Sequence, residues 1–499
     1  MSVNKKVLKY GTASVVLAVV FIVLVLAINL VVGIVAEKNN FYVDLTEEQF
    51  FNISENTEKL LEGKMDEEVK FVFFTPLDQL DANTSTKRVK NLALEYAEKY
   101  SNITIESLDL YGSPDIVRPY KQAASPLSET TIVVESSKRM AAFDMSECFV
   151  YSQDDSGNYY DMAFNGEYRF TSALLKVTRE DTPVVTFITN HSTGDSQSTL
   201  GMESVLEDSG FEIKKLNLLR DPIPENTEVL ILSDPQSDLI GSSGDNKESG
   251  EFDKLYSYMR DGGNMMVFAD PDTPELVNLN DFLKTWGLSI NYGKAVQDDQ
   301  SHLPTDDSMA LVAGYYLGEE TTAELVSAVS AKENALLPIV DYCAEIVCNP
   351  NGLDTSRSAS PLLLSSLAAY VPTNAEDNTP EGRYIPLMAA AYQNTWDELK
   401  AEQVSNYLVL CGSTEFASDE NMALNTNKYA NSDIIRNIVS TMTDEVIVLD
   451  IPYIEYVDTS LSAEATEKVV NDRMLPLILG LPSVVLIAAL VVFIKRRHL

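Results

Sequence analysis

Histidine and cysteine are scarce in this chain. His191, His302 and His498 are the three histidines, and they show no ligand spacing. Structural and catalytic zinc sites need several Cys or His side chains at fixed intervals, so the sequence argues against one. Four cysteines in 499 residues are too few for a disulfide scaffold. Cys343 and Cys348 are near enough in sequence to bridge locally, but no Cys-x-x-Cys is present, which argues against thioredoxin-type redox work. A Gly-x-x-x-x-Gly-Lys-[Ser/Thr] loop is absent, and with it the expected cradle for a nucleoside triphosphate. EF-hand spacing is also absent. The run Asp154-Asp155-Ser156-Gly157-Asn158 therefore reads as a solvated turn sooner than a calcium loop, and the acidic loops at Asp298-Asp299 and Asp306-Asp307 as part of a general acidity that serves solubility. Basic residues are outnumbered, 37 against 75 acidic, for a net charge of −38. A field of that sign repels nucleic acid and anionic membrane surfaces.

What the chain does have is length and apolar content. With 45% hydrophobic residues it is not globally disordered. Its length fits two to four domains. No fixed-period repeat is seen. Gly11 to Ala36 is an uncharged run of 26 residues, and Met474 to Ile494 is another of 21. About 20 apolar residues span a bilayer core, so both read as transmembrane helices. The first exceeds the usual apolar length of a signal peptide and has no A-x-A site after it, which favours an uncleaved anchor. Lys5, Lys6 and Lys9 precede it, and Lys495, Arg496 and Arg497 follow the second. The positive-inside rule then puts both termini in the cytoplasm and residues 37–473 outside. The exterior keeps 31 basic and 75 acidic residues, a net charge of −44.

Within the exterior, periodicity marks the elements. Ser54 caps a helix through Leu61. Val69 to Phe74 reads as a strand, Thr84 to Tyr100 as a helix, and Ile103 to Ile105 and Thr131 to Val134 as strands. A helix over Phe164 to Arg179 closes an α/β unit of thioredoxin-like size. From Val184 the alternation is clearer. Val184–Thr189 is a continuous apolar run, as expected of a strand buried on both faces, and Phe211–Leu218, Val229–Leu232 and Met265–Ala269 read as the strands that follow it. Helices over Leu200–Ser209, Glu251–Arg260 and Leu276–Trp286 lie between or after them, each stopped by glycine. That order predicts a parallel sheet flanked by helices. Farther on, Asp306–Leu317 and Ala335–Val347 fit either strand or helix. Ala359–Tyr370 reads as a helix, Arg383–Ala391 and Asn406–Leu410 as strands, Ser432–Met442 as a helix and Val446–Leu449 as a last strand. Glu464–Lys468 is a polar lead into the second apolar run. The expected divisions are 1–10, 11–36, 37–180, 181–300, 301–473, 474–494 and 495–499: tail, membrane helix, three exterior α/β regions, membrane helix and tail.

The order of several short motifs carries a resemblance. Asp44-Leu45-Thr46 and Phe51-to-Thr57 follow the first apolar run. Gly166-Glu167 leads to Leu174-Leu175-Lys176-Val177-Thr178. The middle region holds Asp234-Pro235, Asp261-Gly262-Gly263-Asn264 and Trp286-Gly287-Leu288. Leu408-Val409-Leu410 runs into Gly412-Ser413-Thr414-Glu415-Phe416 ahead of Asn431. In this order the chain resembles the gliding-motility ABC transporter auxiliary components, the GldG-like proteins. Its middle region is similar to the intraflagellar-transport-like fold, related to class I glutamine amidotransferases. The resemblance implies an α/β exterior of thioredoxin-like and flavodoxin-like or amidotransferase-like domains between two membrane helices. It also implies an ABC ATPase and a multi-span permease as partners.

Amidotransferase chemistry would need a nucleophile in a tight elbow after a strand. Met265–Ala269 is followed instead by Asp270-Pro271-Asp272, and Pro271 has a fixed φ. No catalytic residue, metal ligand or cofactor is therefore assigned. The candidate binding residues are His191, Asp234 and Asp270, which follow strands and are expected at the carboxyl edge of the sheet, where open α/β sheets bind ligands. The expectation is a non-catalytic, membrane-anchored auxiliary subunit whose exterior binds a substrate, wall element or partner. The alternatives are an extracytoplasmic hydrolase working at that sheet edge, and an adhesion module.

Overall fold

In the computed structural model the described residues are 52–443, apart from 113, 125, 154–157, 193–196, 242–249, 304–308, 333–334, 350–352, 354–355, 373–381, 398–401 and 423–428, together with 451 and 453–456. Of the first apolar run, Val20, Val23, Leu24 and Ala27 are described, and each is helical. The rest of that run, all of the second, and the expected elements at 446–449 and 464–468 lie outside the described residues. Among the described residues no helix is long and apolar enough to cross a membrane.

The Ser54 hydroxyl accepts a hydrogen bond from Thr57 N at 3.3 Å and starts α1 (Glu55–Leu61), which carries Glu55 and Glu58 in its first turn. Acids there complement the positive end of the helix dipole. A four-stranded sheet follows, built from β1 (Val69–Phe73), β2 (Ile103–Ser107), β3 (Thr131–Glu135) and β4 (Met140–Asp144). Its order is β2-β1-β3-β4. β1 and β2 are parallel and joined by α2 (Thr84–Lys99), the kind of crossover that parallel strands require. β3 runs antiparallel to both β1 and β4. On one face α2 lays down Val89, Leu92, Ala93 and Tyr96. On the other, the short α3 (Pro114–Val117) and the turn after it bring Val117 and Tyr120 onto Val72, Phe74 and Val133. Strand β4 and the hairpin of β5 (Phe149–Gln153) and β6 (Tyr159–Phe164) are elements that the sequence pattern did not reveal.

The helix α4 (Gly166–Thr178) is buried on nearly every side. Phe170 packs against Phe71, Tyr96 and Phe143, with ring centroids 5.0, 5.8 and 5.2 Å apart. Its far side meets the next layer through Arg169 and Ser172, which bond to Asp208.

That layer contains β7 (Val184–Ile188), α5 (Gln197–Asp208), β8 (Glu212–Leu216), β9 (Thr227–Ser233), α6 (Glu251–Arg260), β10 (Asn264–Phe268) and α7 (Val277–Lys284), close to where the pattern put them. Gly210 at φ +91° and Gly262 at φ +96° turn the chain out of α5 and α6, a conformation glycine adopts without steric cost. Downstream come β11 (Leu288–Ala295), β12 (Gln297–Asp298), β13 (Ala310–Val312), β14 (Gly314–Tyr315), α8 (Glu320–Ser330), β15 (Ile339–Asp341) and β16 (Ala344–Cys348). They are followed by β17 (Arg357–Leu364), β18 (Ala369–Tyr370), β19 (Pro386–Asp397), β20 (Glu402–Cys411), α9 (Asp419–Met422) and α10 (Asn431–Thr443).

Strands from both sides of residue 300 share one eight-stranded sheet, ordered β14-β17-β19-β20-β10-β9-β7-β8. From β20 to β8 it is parallel, and β19, β17 and β14 extend it antiparallel. The segment 359–370, expected to be helical, is instead β17 and β18. Ala359 pairs with Ala391 and Ser360 with Ala390, so β17 lies between two neighbours inside the sheet. A short apolar run does not separate helix from buried strand by periodicity, and here tertiary pairing decides.

Alternate residues of the parallel strands enter two cores. Met266, Phe268, Val409 and Cys411 join one, with α5, α8 and α10. Met265, Val267, Leu408 and Leu410 join the other, with α6, α7 and Trp286. Helices thus cover both faces, and only the strand ends are left to present polar groups.

Candidate functional site

The carboxyl ends of β7, β9, β10 and β20 lead into the segments 189–192, 234–240, 269–273 and 412–415. Asp234 and Asp270 follow the neighbouring strands β9 and β10, and the structure brings them together. Asp270 takes hydrogen bonds from Thr414 N at 2.7 Å and Thr414 Oγ1 at 2.6 Å, which ties the end of β10 to the end of β20. Burial raises the Asp270 pKa and the negative charge of Asp234 adds to this, while the two Thr414 bonds act in the opposite sense.

Asp234 adopts φ +48°. Its N–H donates to Phe268 O at 3.1 Å, and its carboxylate accepts from Gln236 Nε2 at 2.6 Å. Tyr342, at φ +46°, is bonded to Asp272 and also feels Asp270. Among the described residues these two are the only non-glycine positions at positive φ. For a residue as bulky as tyrosine that conformation is strained, at a cost of about 1–3 kcal/mol. Both therefore flank Asp270. The Tyr342 pKa is raised by its bond to Asp272 and by burial.

His191 is near the same edge, and its ring nitrogens bond to neither aspartate but to Ser237 and Glu251. It is 4% exposed. Nε2 lies 3.0 Å from Glu251 Oε1, while Nδ1 lies 2.9 Å from Ser237 O and 3.1 Å from Ser237 Oγ. Glu251, the first residue of α6, is fully buried. Its carboxylate also accepts from Asn190 Nδ2 at 2.7 Å and from Ile240 N at 2.8 Å. Two backbone contacts strap the segments together: Gln236 N donates to His191 O at 2.8 Å, and Ser192 forms an isolated bridge with Pro235.

The sheet edge therefore holds two clusters. One is Asp234, Asp270, Thr414, Tyr342 and Asp272; the other is His191, Glu251, Ser237 and Asn190. Of the expected residues, Asp234 and Asp270 share a cluster and His191 belongs to the other. Sequence reading did not reach Ser237, Glu251 or Tyr342. Glu251 looked like an ordinary first-turn acid, and the turn around Ser237 carried no signal beyond its place after a strand.

Two of the thiols sit behind the sheet edge, enclosed in the core. Cys343 and Cys411 are fully buried, and burial pushes the Cys411 thiol up to about 12. Thiolate is the reactive form, and burial disfavours it at both positions. Among the described residues no set of three or more His, Cys, Asp or Glu side chains is placed to hold a metal ion.

Fold and strand-end site define a mixed α/β protein with a parallel sheet whose polar groups gather at the carboxyl edge. Residues 182–311, which run from β7 into β13 and include the candidate binding residues, match the model of the family described as an ABC-type uncharacterized transport system. The match bears out the resemblance to ABC transport auxiliary components drawn from motif order. None of the curated proteins matches the chain. Among solved structures, the chain is similar to a putative ThuA-like protein from Parabacteroides merdae, at 11% identity and a TM-score of 0.30, covering 55% of this chain and 94% of that one. It is also similar to a glutamine amidotransferase from Thermotoga maritima, at 10% identity and a TM-score of 0.28, covering 53% and 100%. At those scores neither likeness bears on mechanism.

Proposed function

We propose that the protein is an auxiliary subunit of an ABC-type transport complex, anchored by the apolar runs 11–36 and 474–494, with residues 37–473 outside the membrane. The observation that carries this reading is the family match over residues 182–311. The basic flanks of the two apolar runs support the orientation. Its part in transport rests on binding and not on ATP hydrolysis, in keeping with the lack of a phosphate-binding loop in the sequence. The membrane helices dock on a permease served by an ABC ATPase. The sheet edge with Asp234 and Asp270 engages a substrate, wall element or partner. For the region before residue 180, the order β2-β1-β3-β4 with β3 reversed supports the thioredoxin-like reading. Affinity purification of the tagged full chain from detergent-solubilised membranes tests the assignment. Mass spectrometry is expected to find an ABC ATPase and a multi-span membrane protein. Recovery of neither overturns it.

A further inference from the structure

We propose that His191, carrying a proton on each ring nitrogen, is a latch that holds the 236–240 segment closed and releases it as pH rises, a regulatory device beyond the auxiliary role above. Both nitrogens face acceptors. Nδ1 is 2.9 Å from Ser237 O, and Nε2 is 3.0 Å from Glu251 Oε1. A carbonyl oxygen has no hydrogen to give, so the bond to Ser237 O exists only while Nδ1 carries one. The Glu251 carboxylate is an acceptor too. Its oxygens already take hydrogen bonds from Asn190 Nδ2 at 2.7 Å and Ile240 N at 2.8 Å, donors that favour its ionised form. Glu251 is 0% exposed and His191 4%, so an imidazolium is the partner that offsets a carboxylate shut away from water.

The ring joins three parts of the chain. His191 follows β7, Ser237 is in the segment after β9, and Glu251 opens α6. The backbone ties the segment down at the same spot: Gln236 N donates to His191 O at 2.8 Å, and Ile240 O accepts from Glu251 N at 2.8 Å. The other charged groups of these elements are bonded elsewhere. Asp238 accepts from Asn278 N at 2.8 Å and Leu279 N at 3.0 Å, at the start of α7. Asp234 accepts from Gln236 Nε2 at 2.6 Å. Lys254 of α6 donates to Leu218 O at 2.6 Å and Asp221 O at 3.0 Å. Burial, with the charges of Asp238 and Glu275, pushes the Tyr292 hydroxyl up to about 12, so it stays neutral. His191 and Glu251 are the pair whose protons set the bonds of this loop.

Release follows from the donor count. When the ring gives up one proton, Nε2 keeps its hydrogen against the carboxylate, and Nδ1 turns a lone pair toward Ser237 O. That contact is then repulsive. Ser237 Oγ, 3.1 Å from Nδ1, can donate to the neutral ring, but the Ser237 carbonyl has lost its ring donor. Glu251 keeps its charge and loses its counter-charge. The closed segment is therefore stabilised while the ring is charged, and that stabilisation is lost as pH rises through the titration of the ring. Gln236 also holds the Asp234 carboxylate. On the reading of the sheet edge as a binding site, the latch makes the setting of Asp234 answer to the acidity on its side of the membrane.

Hydrogen exchange read by mass spectrometry on the purified full chain in detergent tests this, with the His191 titration followed by nitrogen NMR of a histidine-labelled sample. The sequence has three histidines, so His302→Gln and His498→Gln assign the signals. After correction for the intrinsic rate, protection of the Gln236 and Ile240 amides is expected to fall about ten-fold across the range in which His191 titrates, the order of one lost hydrogen bond to a charged group. The β10 amides are expected to keep theirs. Protection at 236–240 that is flat or rises across that range overturns the latch. A ring with an unprotonated nitrogen already at about pH 5, or with both protons still in place at about pH 9, overturns it as well. Ser237→Ala removes the hydroxyl that serves the neutral ring and is expected to deepen the fall, and a shallower fall refutes the donor count. The readout is the loop and not a bound molecule, so a flat profile rejects the latch alone, and a sheet edge that binds nothing rejects the binding reading alone.

Discussion

Replacing Arg169 by methionine tests what joins the four-stranded and eight-stranded layers. The Arg169 Nη1 atom lies 2.7 Å from Asp208 Oδ2 and 3.2 Å from Glu147 Oε2, and its Nε donates to Glu147 O at 3.2 Å. The guanidinium side chain is 6% exposed, against 31% for Glu147 and 30% for Asp208. Removing one partner of a fully buried ion pair costs about 3–5 kcal/mol, because the remaining charge is left uncompensated. Here both carboxylates keep a wet side and regain some hydration, so the expected loss is about 2–3 kcal/mol. Methionine keeps the apolar stem volume, which isolates the electrostatic part. Lysine keeps the charge but cannot fork between two carboxylates and a carbonyl, and about half the loss is expected. In the double mutant with Asp208→Asn, the two losses are expected to fall short of additivity by about 1 kcal/mol.

The pH dependence has a definite sign. Burial raises the Glu147 pKa, and Arg169 opposes that rise. Without the arginine the folded-state pKa rises further, so between the unfolded and folded values the native state holds the proton more tightly. Stability of the variant therefore falls as pH rises through that window, and the deficit against wild type is larger at pH 7 than at pH 4. Urea unfolding followed by tryptophan emission, with Trp286 buried in the large sheet's core, measures both effects. A Met variant within about 0.5 kcal/mol of wild type, or a deficit that grows on acidification, refutes the reasoning.

Two further perturbations probe single carboxylates. Asp298 is buried and accepts from Gln300 N, Ser301 N, Ser366 N and Ser366 Oγ at 2.8–3.0 Å. Burial opposes its ionisation, but those bonds outweigh it and hold the pKa below the usual value. Its stabilisation is therefore present above the unfolded pKa and lost as pH falls through the folded one. Asp298→Ala is expected to cost about 3 kcal/mol in urea unfolding at pH 7 and less at pH 3, and a cost that does not change with pH contradicts the assignment. Asp270→Asn removes a charge that burial disfavours while its amide can still accept from Thr414 N and donate to Thr414 Oγ1. Thermal unfolding at pH 7 is expected to show a stability equal to or above wild type, and a loss of more than about 1 kcal/mol would show that the charge itself is required.

How legible each part was in the sequence follows from what decides it physically. Strands such as 264–268 were readable because both faces are buried: Met265 and Met266 enter different cores, so the run is apolar without alternation. The β5–β6 hairpin was not, since Tyr159 and Tyr160 are exposed and neither face forms a clean apolar stripe. Strand β17 was misread although Pro361 stands inside it and disfavours a helix interior: the reading followed the apolar run and passed over the proline, and the neighbours in the sheet confirm what that residue signals. Asp234 and Asp270 were findable as strand-end residues, for the sheet alone places them. Glu251 was not, although it is the most deeply buried acid of the site. A glutamate opening a helix is ordinarily solvated, and this one is enclosed only because the 236–240 segment closes over it. That closure depends on the Ser192–Pro235 bridge and on Gln236 N reaching His191 O. Both contacts come directly after the positive-φ turn at Asp234. The positive-φ residue that the sequence singled out for its carboxylate thus also has a backbone role: it sets the path of the loop that brings Ser237 to His191 and closes over Glu251.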